Sequence, residues 1–309
     1  LVESGGIGFD DLIFSPELRA VLVPAGGTGC VNLFDSTSMA KTALCGISSG
    51  GSYAGGHGEG TTSADVGMGV VFAIDRTSRK LKVVDPNGKG ILATAALEAD
   101  PDYVRWVSSN REVWVTEPDG EQIERFTISA DMPPKINRAG AITVKGGPES
   151  LVVDVSHGRA FAHLWKGRSV QIDLATRTIT RDYVNGCRSS RGIALDPKGS
   201  FLFVGCAEGK AVVLDVAQAQ ILDSLTVPTG VDIVAVNGTL RHFYLPASSD
   251  GTVTVLGVGA KGALTRVGSV QGAVGTHCVV SDDHDRVWLC APDEGSVMVF
   301  DDTFPAGSE

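Results

Sequence analysis

An apolar pair or triplet, mostly ending in Asp, recurs about every 44 residues along this chain. It stands at Phe34-Asp35, Val84-Asp85, Phe126, Ile172-Asp173, Leu214-Asp215, Val255-Leu256 and Phe300-Asp301. A four-stranded propeller blade takes ~40–50 residues, so seven such units use the whole chain. The repeat predicts a single all-β domain over residues 1–309, a seven-bladed β-propeller of four-stranded antiparallel blades. The fifth unit shows the pattern most plainly. Residues 191–196 form a first strand, Phe201-Leu202-Phe203-Val204 a second, Ala211-Val212-Val213-Leu214-Asp215 a third and Ile221-Leu222-Asp223-Ser224-Leu225 a fourth. Apolar runs of four or five with Gly, Pro and Asp between them read as buried strands of stacked sheets. The last unit has three strands and few residues after Asp301, whereas Leu1-Val2-Glu3-Ser4-Gly5-Gly6 reads as the end of an outer strand. This N-terminal strand is expected to complete the seventh sheet and close the ring.

The 309 residues carry 26 Lys and Arg against 36 Asp and Glu, a net charge of −10. An acidic chain repels phosphate backbones, so nucleic acid is not an expected partner. The densest basic stretch, residues 76–82, reads as a solvated hairpin tip. No apolar run approaches the ~20 residues of a membrane-spanning helix. A monomer is expected. The start at Leu1 lacks an initiator Met, as a processed or trimmed chain would.

Six cysteines fall into three local pairs. Cys30 and Cys45 are symmetric about a turn, as are Cys278 and Cys290, and Cys187 and Cys206 fall on one face of a blade. Symmetric hairpin positions face each other at distances a disulfide can bridge. Three disulfides would use every cysteine and point to a periplasmic or secreted protein. No spacing suggests structural zinc.

Three stretches carry a family resemblance. They are Gly192-Ile193-Ala194-Leu195-Asp196, Phe201-Leu202-Phe203-Val204-Gly205-Cys206 and Val212-Val213-Leu214-Asp215, with Gly230-Val231-Asp232 and Asp250-Gly251-Thr252-Val253-Thr254-Val255 following. Together they resemble the YVTN-repeat, YncE-like β-propellers. Trp114-Val115-Thr116-Glu117 is similar to that family's second-strand tetrapeptide, with Glu117 where the family has Asn. The resemblance is best from about residue 98 to 295. It implies the propeller fold and an extracytoplasmic binding role. Related seven-bladed propellers include lactonases, but no family catalytic motif transfers to this chain.

Innermost strands of a propeller line an axial channel, and ligands bind where loops from every blade converge. Aligning the units places one polar residue just before each first strand: Asp10, His57 or Glu59, Asp102 or Tyr103, Glu149, Arg191, Asp232 and His277. Trp165, beside Lys166 and Arg168, reaches the same face or packs between blades. One reading is a convergent site, with Asp102, Glu149, Arg191, Asp232, His277, His57 and Trp165 contacting a small polar ligand. Within it, Glu149, Asp232 and His277 would hold a divalent cation such as calcium. The competing reading is a solvated channel mouth. A metal-dependent hydrolase or lactonase and a protein-interaction scaffold remain the functional alternatives.

Overall fold

A computed structural model of the chain describes residues 1–307 apart from Glu3, Ser4, Gly51, Ser52 and Ala54. Seven antiparallel sheets follow one another along the chain as blades, at residues 13–45, 64–96, 104–143, 152–184, 190–226, 235–271 and 279–301. Strands pair strictly with their sequence neighbours, from the axis outward. A single 3-10 turn, Val155–His157, is the only helical element among the described residues.

Burial explains why the apolar runs recur. The second strands are buried nearly throughout, Ala20–Pro24 and Val70–Asp75 at every position, because each lies between two neighbouring blades. Fourth strands form the rim, and Thr178–Val184 is exposed at all positions but one. Aromatic pairs fill the gaps between blades: Phe72 with Trp106 at 5.3 Å, Phe203 with Phe243 at 4.9 Å, and Phe34 with Trp288 at 5.4 Å. Each such pair adds about 0.5–1.5 kcal/mol beyond the area it buries. Gly67 is required beneath Trp106, because a Cβ there would lie 2.4 Å from the indole.

All three expected disulfides are formed, Cys30–Cys45, Cys187–Cys206 and Cys278–Cys290, and no cysteine is free. Among the described residues no helix is long and apolar enough to cross a membrane.

At the ring closure the N-terminal segment reaches the seventh blade. Six sheets have four strands, but among the described residues the seventh has three, ending at Ser296–Asp301. Among the described residues of the N-terminal segment, Val2 stands at the exit of the expected outer strand. In the first six blades the residue that leaves the outer strand donates its N–H to the residue preceding the third strand, as Ile47 does to Gly29 and Gly272 to Gly251. Val2 makes this bond to Gly295 at 3.4 Å. Blades seven and one are also sealed by side chains, with Trp288 against Phe34 and the Arg286 guanidinium on the Ser36 carbonyl.

Candidate functional site

The first strands all begin at one end of the channel, and the expected polar residues meet there. Asp10 precedes Ile13–Ser15 and is 2 % exposed. His57, from the glycine-rich connection between blades one and two, places Nδ1 3.3 Å from Asp10 Oδ2. That contact is off the line of a good hydrogen bond, and Nδ1 is buried without an aligned partner among the described residues. Asp102 precedes Val104–Val107 and accepts from Arg76 at 2.8 Å. Glu149 pairs with Arg191, the second residue of Ser190–Leu195. The Arg191 guanidinium lies 5.5 Å from the ring centre of Trp165, which is 43 % exposed on the rim. Trp165 is therefore not packed between blades; it borders a separate cleft with Leu164, Lys166 and Arg168.

Asp232 lines the same opening, and no described residue donates a hydrogen bond to its carboxylate. His277 is held at both nitrogens, with Nδ1 2.7 Å from the Gly275 carbonyl and Nε2 2.9 Å from that of Phe9. As placed, it presents no lone pair to an ion. Glu149 is likewise engaged by Arg191. The expected metal set of Glu149, Asp232 and His277 is thus not assembled. The donors that do come together are Asp10, His57 and Asp232, all within 4.8 Å of one another. Two other groupings are already satisfied. Cys278 and Cys290 share a disulfide, and Asp282 accepts from Arg286, Trp288 and backbone N–H groups.

Arg76 was not legible as a site residue. Its basic stretch reads as a solvated tip, which holds for the exposed Arg79 and Lys80. Arg76 points into the mouth with its side chain 20 % exposed, and Lys82 pairs with the buried Asp75 at 2.9 Å. The usable signal was position, since second-to-third-strand turns all face the mouth. Tyr53, also on the lining, was missed. Glu59 borders a neighbouring cleft of 520 Å³, and Tyr103 is buried at the axis. His163 is buried within Arg159–Leu164, where burial depresses its imidazole to about 3.

Electrostatics at the mouth follow from crowding four carboxylates against fewer cations. Burial, then the Asp10 charge, pushes Asp102 up to about 7. Burial, then Asp102, pushes Glu149 up to about 8, and Asp232 is raised by burial and Asp10. Burial works to raise Asp10 too, but the His57 and Arg76 charges outweigh it and hold the carboxyl low. The Asp10 charge in turn lifts His57 to about 9. The opening is a cleft of 340 Å³ whose lining includes Tyr53, His57, Arg191, Asp232, His277 and Pro292. That volume suits a small ligand.

Fold and site together define a seven-bladed β-propeller with an acid-rich axial mouth. No protein-family model and no curated protein matches the chain. Solved structures do. Kuenenia stuttgartiensis hydrazine synthase matches with a TM-score of 0.77 at 12% identity, over 98% of this chain and 97% of that one. The Cps50 (Swd1) propeller domain of Myceliophteria thermophila matches with a TM-score of 0.77 at 13% identity, over 98% and 99%. A chain of the Mitotic Checkpoint Complex matches with a TM-score of 0.77 at 12% identity, over 97% and 90%. At such identities the likeness shows the fold alone.

Proposed function

We propose that this chain is an extracytoplasmic, YncE-like binding protein that holds a small, positively charged polar ligand or a cation at its axial mouth. The carrying observation is the charge imbalance. Asp10, Asp102, Glu149 and Asp232 converge from four blades; of the facing cations His57 is paired with Asp10, Arg76 with Asp102 and Arg191 with Glu149, which leaves Asp232 without one of its own. Burial, and after it the neighbouring carboxylate charges, raise Asp102, Glu149 and Asp232, and an added cation relieves the second of these. Arg191 and His57 would orient a polar tail, and Trp165 offers an aromatic edge at the rim. Three disulfides fit an oxidising compartment. A hydrolase or lactonase would use the same ring, and ester turnover would separate it from a binder.

The test is a thermal-shift panel of diamines, basic amino acids and divalent cations. A ligand at a hundredfold excess over its Kd stabilises by about 2.7 kcal/mol. We expect at least one class to raise Tm, and Asp232→Asn to abolish the shift. No stabilisation by any class, or full stabilisation of both Asp232→Asn and Glu149→Gln proteins, would remove the proposal.

A further inference from the structure

We infer that Asp10, His57 and Asp232 form a mononuclear site for a divalent transition-metal ion at the mouth. The inference rests on reading the mouth as a binding site and names the ion class. The three donors come from separate parts of the ring: blade one, the connection between blades one and two, and blade six. Their ligand atoms nevertheless lie within 4.8 Å of one another.

Two observations point to a ligand and not to a mere acidic cluster. Asp10 is 2 % exposed, and its carboxylate meets His57 Nδ1 off the line of a good hydrogen bond at 3.3 Å and Arg76 only at 4.0 Å. The buried His57 Nδ1 facing it has no aligned partner among the described residues. Buried polar atoms are normally paired, and a facing carboxylate and imidazole that do not align with each other suit two donors aimed at a common third atom. Their separation of 3.3 Å also fits. Donors bound at about 2.0–2.1 Å in a tetrahedron stand about 3.3–3.4 Å apart.

The surroundings supply the support that such ligands need. The His57 ring stacks on His277, with centroids 5.9 Å apart. His277 is fixed on the Phe9 carbonyl, so the same contact pins the peptide that carries Asp10. Arg76 stands 4.0 Å from Asp10 while bonding Asp102.

Donor chemistry selects the metal. One imidazole and two carboxylates suit Zn²⁺, Mn²⁺, Co²⁺ or Ni²⁺. Calcium takes about six to eight oxygens. The two further carboxylates of the mouth are tied to Arg76 and Arg191. Both His57 and Asp232 border the 340 Å³ cleft, so a remaining coordination position would face space for a small ligand.

The experiment is calorimetric titration of chelator-treated protein with Zn²⁺, Mn²⁺ and Ca²⁺ chlorides, with Co²⁺ absorption reporting geometry. Expected are one site per chain, affinity for Zn²⁺ at least a hundredfold above Ca²⁺, and a tetrahedral Co²⁺ spectrum. His57→Ala and Asp232→Asn should each weaken Zn²⁺ at least tenfold, with circular dichroism unchanged. His284→Ala, beside Asp282 and Asp283 on the far face, should not. Absence of stoichiometric binding, or binding indifferent to His57→Ala, overturns the metal site. If diamines or basic amino acids still stabilise wild type but not Asp232→Asn, the mouth reading stands while the metal inference falls.

Discussion

Glu149 is a carboxyl that this fold prefers to keep protonated. Burial and the neighbouring Asp102 raise it to about 8, against the pull of Arg191. The sign of the pH dependence follows. An unfolded Glu loses its proton near pH 4.5, so between there and pH 8 the folded form binds more protons and stability falls as pH rises. Asp102, raised to about 7, acts in the same direction. Glu149→Gln should therefore flatten part of the decline in Tm between pH 5 and 8. It should gain on the order of 1 kcal/mol at pH 8, with little change at pH 5. A Tm–pH series on both proteins checks this, and parallel curves would refute it. The same residues show the limits of reading a sequence. Asp102, Glu149, Arg191, Asp232 and His277 were legible because each precedes or opens a first strand. That His277 spends both nitrogens on carbonyls was not, since Phe9 belongs to the other end of the chain.

At the scale of elements, two repeated devices shape the blades. In five of them the third and fourth strands are offset by one residue immediately before or at the recurring apolar motif, as between Arg125 and Phe126 or Gln171 and Ile172. Such bulges increase local twist. The residues that precede the third strands have positive φ in every blade, mostly Gly but also Arg79 at 49° and Glu121 at 50°. The C-terminal segment is a third element, and it works by a buried polar cluster. His242 Nδ1 lies 2.6 Å from Asp302 Oδ2, Tyr244 donates to the same oxygen at 2.6 Å, and His242 Nε2 meets the Pro305 carbonyl at 2.9 Å. Phe304 packs against Gly268, and the Gly307 N–H reaches Leu240. The tail thereby straps the three-stranded seventh blade to the sixth. Asp302→Ala would strand a buried His and a buried hydroxyl, costing about 3 kcal/mol or more, while Tyr244→Phe should cost about 1 kcal/mol. Urea denaturation of both variants measures the difference, and equal effects would discount the strap.

At the scale of the molecule, the ring has one sheet edge unlike the others. Ser296–Asp301 pairs inward with Arg286–Ala291, and no described strand pairs with its outer side. Its counterpart in blade six, Thr252–Val258, is paired on both sides. Hydrogen exchange should therefore be at least tenfold faster at the outward amides of 296–301 than at those of 252–258. Equal protection would mean that the edge is covered in solution. An edge so placed is where further β-pairing would occur.

Sequence alone determined the number of blades, the strands and the cysteine partners. These follow from local periodicity and hairpin symmetry, which neighbouring residues fix among themselves. Tertiary structure decided what the mouth contains. Asp10, His57 and Asp232 meet only because seven sheets close around an axis. Arg76 left its expected place in solvent because its turn faces that axis. Contacts between residues so far apart along the chain depend on the curvature of the whole ring, which no local pattern encodes.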